Sequence, residues 1–196
     1  MKKLIVASSN KGKLKEIAEI FKDYYEIVSM KEMGYTQEIE ENGSTFFENS
    51  LIKAKTVSLY LKEDCLADDS GLMVDYLDGA PGIYSARFSG ENATDESNRK
   101  LLLEKLKGVE NRKARFVSSV VLYTKDGEIV QGYGETNGEI LQAEDGENGF
   151  GYDSLFYSYD LKKSFGVASS QEKNAVSHRY RALCDLKKKL DDKNIY

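Results

Sequence analysis

The first third of the chain alternates between short apolar runs and apolar residues at helical spacing. An apolar run at residues 3–8 predicts a strand. Four residues after it recur at i, i+3, i+4 and i+7, as on one face of a helix: Leu14, Ile17, Ala18 and Phe21. Residues 24–29 predict a second strand. The polar loop between the first strand and the helix is thereby placed where backbone N–H groups can face an anion.

Capping boxes mark the start of two later helices. Thr45 and Glu48 predict a helix that ends near Lys62. Ser169 and Glu172 predict a last helix that begins near the second of them. Apolar spacing gives the expected buried faces, which are Phe47, Leu51, Ala54, Ser58 and Leu61 in the first helix and Val176, Arg179, Ala182, Leu183, Leu186 and Leu190 in the last.

The remaining pattern predicts an α/β fold with a mixed sheet. Further strands are predicted at residues 66–67, 72–77, 115–123, 129–140 and 155–157, and a further helix at 95–107. The turn signal at 125–128 makes a long hairpin of the two strands beside it. Strands alternate with helices before this hairpin, which is typical of a parallel sheet, and the hairpin adds an antiparallel pair, so the sheet is expected to be mixed. No repeat or linker interrupts the sequence, and residues 1–196 are predicted to form a single domain.

The charge balance narrows the classes of partner. The chain of 196 residues carries 28 Lys and Arg against 33 Asp and Glu, which gives a net charge of −5. This excludes the broadly basic profile of a nonspecific nucleic-acid binder, although it leaves room for a local basic pocket. The sequence has 1 histidine, which excludes a site built on several histidine ligands.

Cysteine usage and the lack of long apolar segments favour a cytoplasmic protein. Cys65 and Cys184 lie in apolar stretches without metal-binding spacing, and both are predicted to be small buried side chains. The apolar part of the N-terminus is shorter than the roughly 7 residues that a signal peptide needs. No apolar run approaches the roughly 18 residues of a membrane span. We therefore expect a soluble cytoplasmic protein without a membrane partner.

The loop after the first strand combines groups that suit phosphate oxygens. Its residues are Ser8, Ser9, Asn10, Lys11, Gly12 and Lys13. Hydroxyl, carboxamide and ammonium groups are the donors that phosphate prefers. The loop is not a Walker A motif, because Leu14 follows Lys13 and the upstream glycine is missing. An ordinary turn with a helix cap is the alternative, and the residues leave both open.

Paired acids occur in two places. Asp68 and Asp69 are adjacent, and adjacent side chains of an extended chain point to opposite sides. One carboxylate could then face a cleft, hold Mg²⁺ and accept a proton from water, while the other braces the backbone. A turn capped by aspartate is the alternative. Glu40 and Glu41 are typical of a solvated surface unless the cation needs a second carboxylate.

Aromatic and basic residues in the last third suit a planar base. Phe150 lies between glycines and offers a face for stacking, and Asp153 offers an acceptor for ring N–H groups. Lys173, His178 and Arg179 follow, and arginine can donate paired hydrogen bonds to a carbonyl or a phosphate. A glycine bulge with core aromatics and a structural histidine are the alternatives. Together the groups suit a nucleoside phosphate with Mg²⁺, but they do not reveal the reaction.

Six motifs in order resemble the noncanonical purine nucleoside triphosphate pyrophosphatases, also called dITP/XTP or inosine triphosphate pyrophosphatases. They are residues 9–13 (SNKGK), 40–46 (EENGSTF), 67–72 (ADDSGL), 79–87 (GAPGIYSAR), 149–153 (GFGYD) and 172–179 (EKNAVSHR). The resemblance covers essentially the whole chain. One departure is Ser8-Ser9, where many members read Ala-Thr or Thr-Gly.

The resemblance implies a fold and an activity. Members hydrolyse ITP, dITP and XTP to the monophosphate and pyrophosphate with Mg²⁺, and so remove deaminated purines from the nucleotide pool. The implied fold has two α/β lobes around a long mixed sheet, with the substrate in a cleft between the lobes. The implied assembly is a homodimer.

The resemblance also implies roles for individual residues. Asp69 would be the general base that, with Mg²⁺, activates a water for attack on the α-phosphorus, and Glu40 would hold the metal with it. The residues expected to bind the phosphates are Ser8, Ser9, Asn10, Lys11, Gly12, Lys13 and Lys53, and Ser70 would also contact substrate. Phe150 would stack on the base, in a pocket shaped by Gly151, Tyr152 and Asp153. Lys173, His178 and Arg179 would meet the 6-keto group. The amino group of adenine would leave such donors unpaired, and Asp153 is the candidate for rejecting guanine at position 2.

Two other functions fit part of the sequence. A related class of enzymes hydrolyses modified pyrimidine triphosphates, and the basic residues at 173–179 favour purines instead. A nonenzymatic nucleotide sensor or RNA-binding module would not need Asp69 and Glu40 as a water-activating pair. The net charge of −5 and the missing basic stripe also disfavour RNA.

Overall fold

The computed structural model describes residues 1–195 and is an α/β fold with one mixed sheet. The strands of the sheet are β1 (Lys2–Val6), β2 (Tyr25–Ser29), β3 (Cys65–Val74), β4 (Lys113–Tyr123), β5 (Ile129–Ile140), β6 (Phe156–Ser158) and β7 (Lys163–Ser164), in the order β2-β1-β3-β4-β5-β6-β7. Strand β1 is parallel to β2 and β3, whereas β6 is antiparallel to β5 and β7. The predicted fold class is confirmed.

The α-helices of the described residues are α1 (Lys11–Phe21), α2 (Phe46–Leu61), α3 (Asp95–Lys105), α4 (Ser170–Val176) and α5 (His178–Lys193). Short 3₁₀ turns lie at Asp75–Leu77, Gly82–Arg87 and Asp153–Leu155. Within residues 1–195, no helix has the length and apolar character needed to cross a membrane.

The chain divides into two compact units. The first unit comprises Met1–Asp69, Ser118–Gly134 and the residues from Arg179 onward, and the second comprises Ser70–Val117 and Glu135–His178. Strands β3, β4 and β5 each contribute residues to both units. The assignment of the whole chain to a single domain, the cleft and the homodimer stay predictions.

Each unit has its own apolar core. In the first unit, the buried face of α5 packs with α1 residues and the first strands, while α2 packs through Ala54 and Val57 on a second cluster. The core of the second unit contains Leu102 of α3 together with Phe116 and Phe156 of the sheet. These cores hold the strand ends and helix starts from which the candidate site residues project.

The cap of α2 and the extent of the last helix differ from the prediction. Thr45 caps α2 as predicted, by accepting the Glu48 N–H at 3.1 Å, but the Glu48 carboxylate accepts from Ser44 at 2.6 and 2.7 Å instead of closing the box. The predicted last helix is two helices, because Ser177 has an extended backbone (φ −66°, ψ 149°) that ends α4 before α5 begins. The Ser169–Glu172 box of α4 is confirmed.

The two cysteines have different environments. Cys65 lies in β3 and is buried, as predicted. Cys184 is exposed, and its predicted burial is wrong. The reason is its place on α5, where the buried residues are Ala182, Leu183, Leu186 and Leu190. Position 184 falls outside that stripe.

Candidate active site

The loop between β1 and α1 is organised by Asn10. Its carboxamide oxygen accepts the N–H groups of Gly12 at 2.9 Å and Lys13 at 3.2 Å, and its own N–H donates to the Ser8 hydroxyl at 3.1 Å. Asn10 is therefore the N-cap of α1, and these two helix amides are engaged by the cap. Ser9, Asn10 and Lys11 are exposed, so a hydroxyl, a carboxamide N–H₂ group and an ammonium remain as donors toward solvent.

Asp68 is the centre of an ion network in the first unit. It is 4% exposed, and its two oxygens contact the Lys13 ammonium at 3.0 Å and the Arg179 guanidinium at 3.2 Å. Arg179 also donates to Glu16 at 3.1 Å. Burial acts to raise the pKa of Asp68, but the charges of Lys13 and Arg179 outweigh it and hold this pKa well below its ordinary value. Asp68 thus stays ionised and holds two cations.

Asp69 has the opposite environment. Its Oδ2 atom is buried and accepts no hydrogen bond from the part of the chain that the structure describes. The Lys53 ammonium lies 3.9 Å from Asp69 Oδ1 and 2.8 Å from the Glu41 carboxylate. Burial raises the pKa of Asp69 to about 6, against the charge of Lys53 and with a further contribution from Glu41. A carboxylate with an unengaged oxygen and a pKa near neutrality is suited to accept a proton.

The acidic neighbour of Asp69 is Glu41. Glu41 pairs with Lys53, and its negative charge raises the pKa of Asp69. The family resemblance implied Glu40 as the second carboxylate, whereas the carboxylate that pairs with Lys53 beside Asp69 belongs to Glu41. The segment of both residues is irregular, so no periodicity sets their side-chain directions. The role of Glu40 as a metal ligand stays a prediction.

The carboxylates of the first unit could supply only part of the ligands of a metal ion. Among the described residues, no group of 3 or more His, Cys, Asp or Glu side chains is arranged to hold a metal ion. Mg²⁺ commonly takes one or two protein carboxylates and completes its shell with water and substrate phosphates. Asp69, with its unengaged Oδ2, and Glu41, which shares Lys53 with it, supply the two carboxylates that this smaller requirement calls for.

Three predicted base-binding residues come together in the second unit. The Lys173 ammonium pairs with the Asp153 carboxylate and lies 4.6 Å from the centroid of the Phe150 ring. Asp153 also accepts the Phe150 N–H at 3.0 Å. The Phe150 side chain is 67% exposed, whereas Asp153 is buried. The ring is therefore held at its backbone and presented to solvent, where a planar base can stack.

Glycine is required beside this ring. Gly149 has φ +76°, and a Cβ atom there would lie 2.1 Å from the Asp153 carboxylate, so a side chain would displace the acceptor of the Phe150 N–H. The next predicted residue, Tyr152, is buried and donates its hydroxyl to the Ser85 carbonyl at 2.6 Å. Tyr152 therefore anchors the segment that carries Phe150.

The remaining predicted residues are distributed over the two units. His178 stacks on Phe116, with ring centroids 5.1 Å apart and an interplanar angle of 17°. Arg179 belongs to the first unit, where it contacts Asp68. Ser70 follows Asp69 in β3 and is partly buried. Binding of one base by Lys173, His178 and Arg179 together stays a prediction.

Sequence reasoning missed two contributors in the first unit. Glu16 orients Arg179, and its position three residues after Lys13 on α1 was an available signal. Asn49 is buried, accepts the Gly43 N–H at 2.8 Å, and lowers the pKa of Asp69 through a side-chain hydrogen bond. A polar residue on the buried side of α2 carried no comparable signal in the sequence.

The sequence is similar to known proteins over nearly its whole length. The sequence profile of the Ham1 family matches residues 4–189. A dITP/XTP pyrophosphatase of Clostridium perfringens is 49% identical and aligns over 97% of this chain and 98% of its own. The dITP/XTP pyrophosphatase of Bacillus anthracis is 45% identical, with 98% of each chain covered.

Solved structures agree with the sequence comparison. The Ham1 protein of Staphylococcus aureus superposes with a TM-score of 0.92 at 40% identity, over 98% of this chain and 100% of that one. The nucleoside-triphosphatase, or dITP/XTP pyrophosphatase, of Mycobacterium abscessus superposes with a TM-score of 0.80 at 41% identity, over 93% of this chain and 97% of that one.

Proposed function

The chain belongs to the Ham1 family, and from this membership we propose that it hydrolyses XTP, ITP and dITP to the nucleoside monophosphate and pyrophosphate. The single observation that carries the proposal is the buried, unengaged oxygen of Asp69, whose pKa is raised to about 6. Relatives described as dITP/XTP pyrophosphatases support the choice of substrate. The enzyme would thereby remove deaminated purines from the nucleotide pool.

Asp69 acts as the general base. With a pKa of about 6, its carboxylate is ionised at neutral pH and still basic enough to take a proton from the attacking water. That water attacks the α-phosphorus, the bond to the bridging oxygen breaks, and pyrophosphate leaves. The Lys53 ammonium, 3.9 Å from Asp69, offsets the negative charge that gathers on the phosphates.

Asp69 and Glu41 are the residues that would hold Mg²⁺, with Glu40 as the other candidate for the second carboxylate. Carboxylate oxygens are the ligands that this cation prefers. When bound, Mg²⁺ supplies positive charge that offsets the charge of the triphosphate.

The two ends of the substrate are assigned to different residues. The side chains of the loop at residues 8–13 and Lys53 bind the phosphates. Phe150 stacks on the purine, and Lys173 with His178 and Arg179 donates to its 6-keto oxygen. The amino group of adenine cannot accept those hydrogen bonds, and each buried donor left unpaired costs about 1–3 kcal/mol.

The assembly and the location are further parts of this proposal: the family resemblance implies a homodimer, and the cysteine usage of the sequence favours the cytoplasm. We assign the enzyme to the cytoplasm and to a homodimer. Sedimentation equilibrium of the full chain checks the assembly, and a monomer at micromolar concentration would contradict it.

Pyrophosphate release from a panel of nucleotides tests the proposal. The panel contains XTP, ITP, dITP, GTP, ATP and modified pyrimidine triphosphates, each with and without Mg²⁺. We expect Mg²⁺-dependent release from the first three and little from the others. Release from the modified pyrimidines alone would replace the proposal with the related enzyme class. Absence of release from all of them would favour a nucleotide-binding module.

A further inference from the structure

Helix α3 holds both polar groups of one residue in the segment that carries Phe150. The Gly151 N–H donates to the Asp95 carboxylate at 2.9 Å, and the Gly151 carbonyl accepts from the Arg99 guanidinium at 2.9 Å. Asp95 and Arg99 are four residues apart on α3, so their side chains lie on one face of the helix. We name Asp95 and Arg99 the Gly151 clamp.

The clamp is tied to the preceding part of the same loop. Arg99 Nε donates to the Glu144 carboxylate, and the same Glu144 oxygen accepts the Ser154 hydroxyl at 3.2 Å. Because Arg99 bonds to Gly151 and to Glu144, it joins two parts of the loop through one guanidinium. Arginine suits this task, since its planar group carries several donors in a fixed arrangement.

Hydrogen bonding, and not apolar packing, holds Gly151. A Cβ atom at Gly151 would have no described atom within 4 Å, and the residue has φ +60°. The clamp residues, Phe150 and Gly151 border a cavity of about 620 Å³. Gly151 therefore borders open space between the exposed Phe150 and the anchored Tyr152, and its hydrogen bonds to Asp95 and Arg99 are the described contacts that hold its own peptide groups.

Gly151 lies next to Phe150 and two residues before Asp153. We propose, on the basis of the proposed function, that Asp95 and Arg99 are positioning residues for purine recognition. By holding the Gly151 peptide groups, they orient the Phe150 ring that stacks on the base and the Asp153 carboxylate that pairs with Lys173. Both clamp residues belong to the second unit, whereas Asp69 belongs to the first.

If the clamp has this role, its loss should weaken binding of the base and leave binding of the phosphates unchanged. Loss of one charge-assisted hydrogen bond that holds the segment in its binding conformation should weaken the binding equilibrium for the base by about tenfold. Asp95→Ala and Arg99→Ala should each raise KM for XTP and the inhibition constant of IMP by about tenfold. Inhibition by pyrophosphate, which lacks a base, and kcat should stay at wild-type values.

The experiment compares wild-type protein, Asp95→Ala, Arg99→Ala, the double variant and Lys100→Ala. Lys100 is the matched control, because it follows Arg99 on α3, is 75% exposed and pairs with Glu96 at 2.7 Å. Lys100→Ala should behave as wild type. The double variant should lose less than the product of the single effects, since both residues hold the same glycine. Arg99→Lys should restore part of the loss.

Several results would overturn the clamp. They are a parallel rise in the inhibition constants of IMP and pyrophosphate, a fall in kcat at unchanged KM, and single-variant values equal to those of Lys100→Ala. If Arg99→Ala fails to fold, Asp95→Ala carries the test, because Asp95 is exposed at the start of α3. Failure of the proposed function is distinguishable, since wild-type protein would then release no pyrophosphate from XTP, ITP or dITP.

Discussion

Asp68 and Asp69 are consecutive residues of β3, yet their pKa values are displaced in opposite directions. Burial acts to raise both pKa values. At Asp68 the ammonium of Lys13 and the guanidinium of Arg179 outweigh burial, whereas the cation beside Asp69 is Lys53, which is itself paired with Glu41. One strand therefore presents a carboxylate that is fully ionised at neutral pH next to one whose pKa, about 6, lies near neutrality.

Replacement of the proposed base should stop turnover. Asp69→Asn keeps the shape of the side chain but cannot take a proton from water, so kcat for XTP should fall by at least about 100-fold. Pyrophosphate release measures the loss, and far-ultraviolet circular dichroism checks that the variant is folded. Turnover close to the wild-type value would reject Asp69 as the base.

The same substitution should stabilise the metal-free protein at high pH. The folded-state pKa of Asp69, about 6, lies above the value of about 4 for an unfolded aspartate. Its carboxyl group therefore contributes stability that is complete below pH ~4 and is lost as pH rises through ~6. Asp69→Asn should raise the free energy of unfolding at pH 8 by up to about 3 kcal/mol, with a much smaller difference at pH 4. Urea unfolding in EDTA measures both values, and equal gains at the two pH values would contradict this account.

Asp68→Asn should change stability in the other direction. The depressed pKa of Asp68 means that its ionised form stabilises the fold above pH ~4, and that this contribution is lost as pH falls through the folded-state value. Without that charge, Lys13 and Arg179 lose a buried partner, and the free energy of unfolding at pH 8 should fall by about 3 kcal/mol.

The two neighbouring variants control each other. Each replaces one carboxylate of β3 by an amide of equal size, so a general effect of the substitution would move both stabilities alike. Urea unfolding at pH 8 should separate Asp68→Asn from Asp69→Asn by sign. At pH 3 the deficit of Asp68→Asn should shrink. If Asp68→Asn and wild type have equal free energies of unfolding at pH 8, the ion network of Asp68 makes no net contribution to stability.

Local patterns predicted most of the fold because helix and strand periodicities are short-range. Strand β5 spans residues 129–140 as expected, and α2 starts directly after its expected cap, Thr45. The break at Ser177 was missed because a single extended residue leaves the surrounding apolar pattern almost unchanged. The pairing of Glu41 with Lys53, the contact of Glu16 with Arg179 and the Gly151 clamp depend on tertiary approach between distant segments, which no local spacing encodes.

Replacement of Phe150 should weaken substrate binding without changing the stability of the fold. Its side chain is 67% exposed, so Phe150→Ala should change the free energy of unfolding by less than about 0.5 kcal/mol. Base–aromatic stacking is worth about 1–3 kcal/mol, so KM for XTP should rise by roughly 5- to 150-fold. Tyr76→Ala is the matched control, because Tyr76 is another aromatic residue of the second unit and is 54% exposed.

The control decides what a rise in KM means. If Phe150 stacks on the purine, Phe150→Ala should weaken inhibition by IMP and leave inhibition by pyrophosphate unchanged, while Tyr76→Ala should change neither. If both variants raise KM alike, the effect belongs to loss of exposed aromatic surface in general and the stacking assignment is wrong. Phe150→Leu keeps apolar contact but removes the π face, over which the Lys173 ammonium lies at 4.6 Å from the ring centroid. Its KM for XTP should therefore lie between those of wild type and Phe150→Ala.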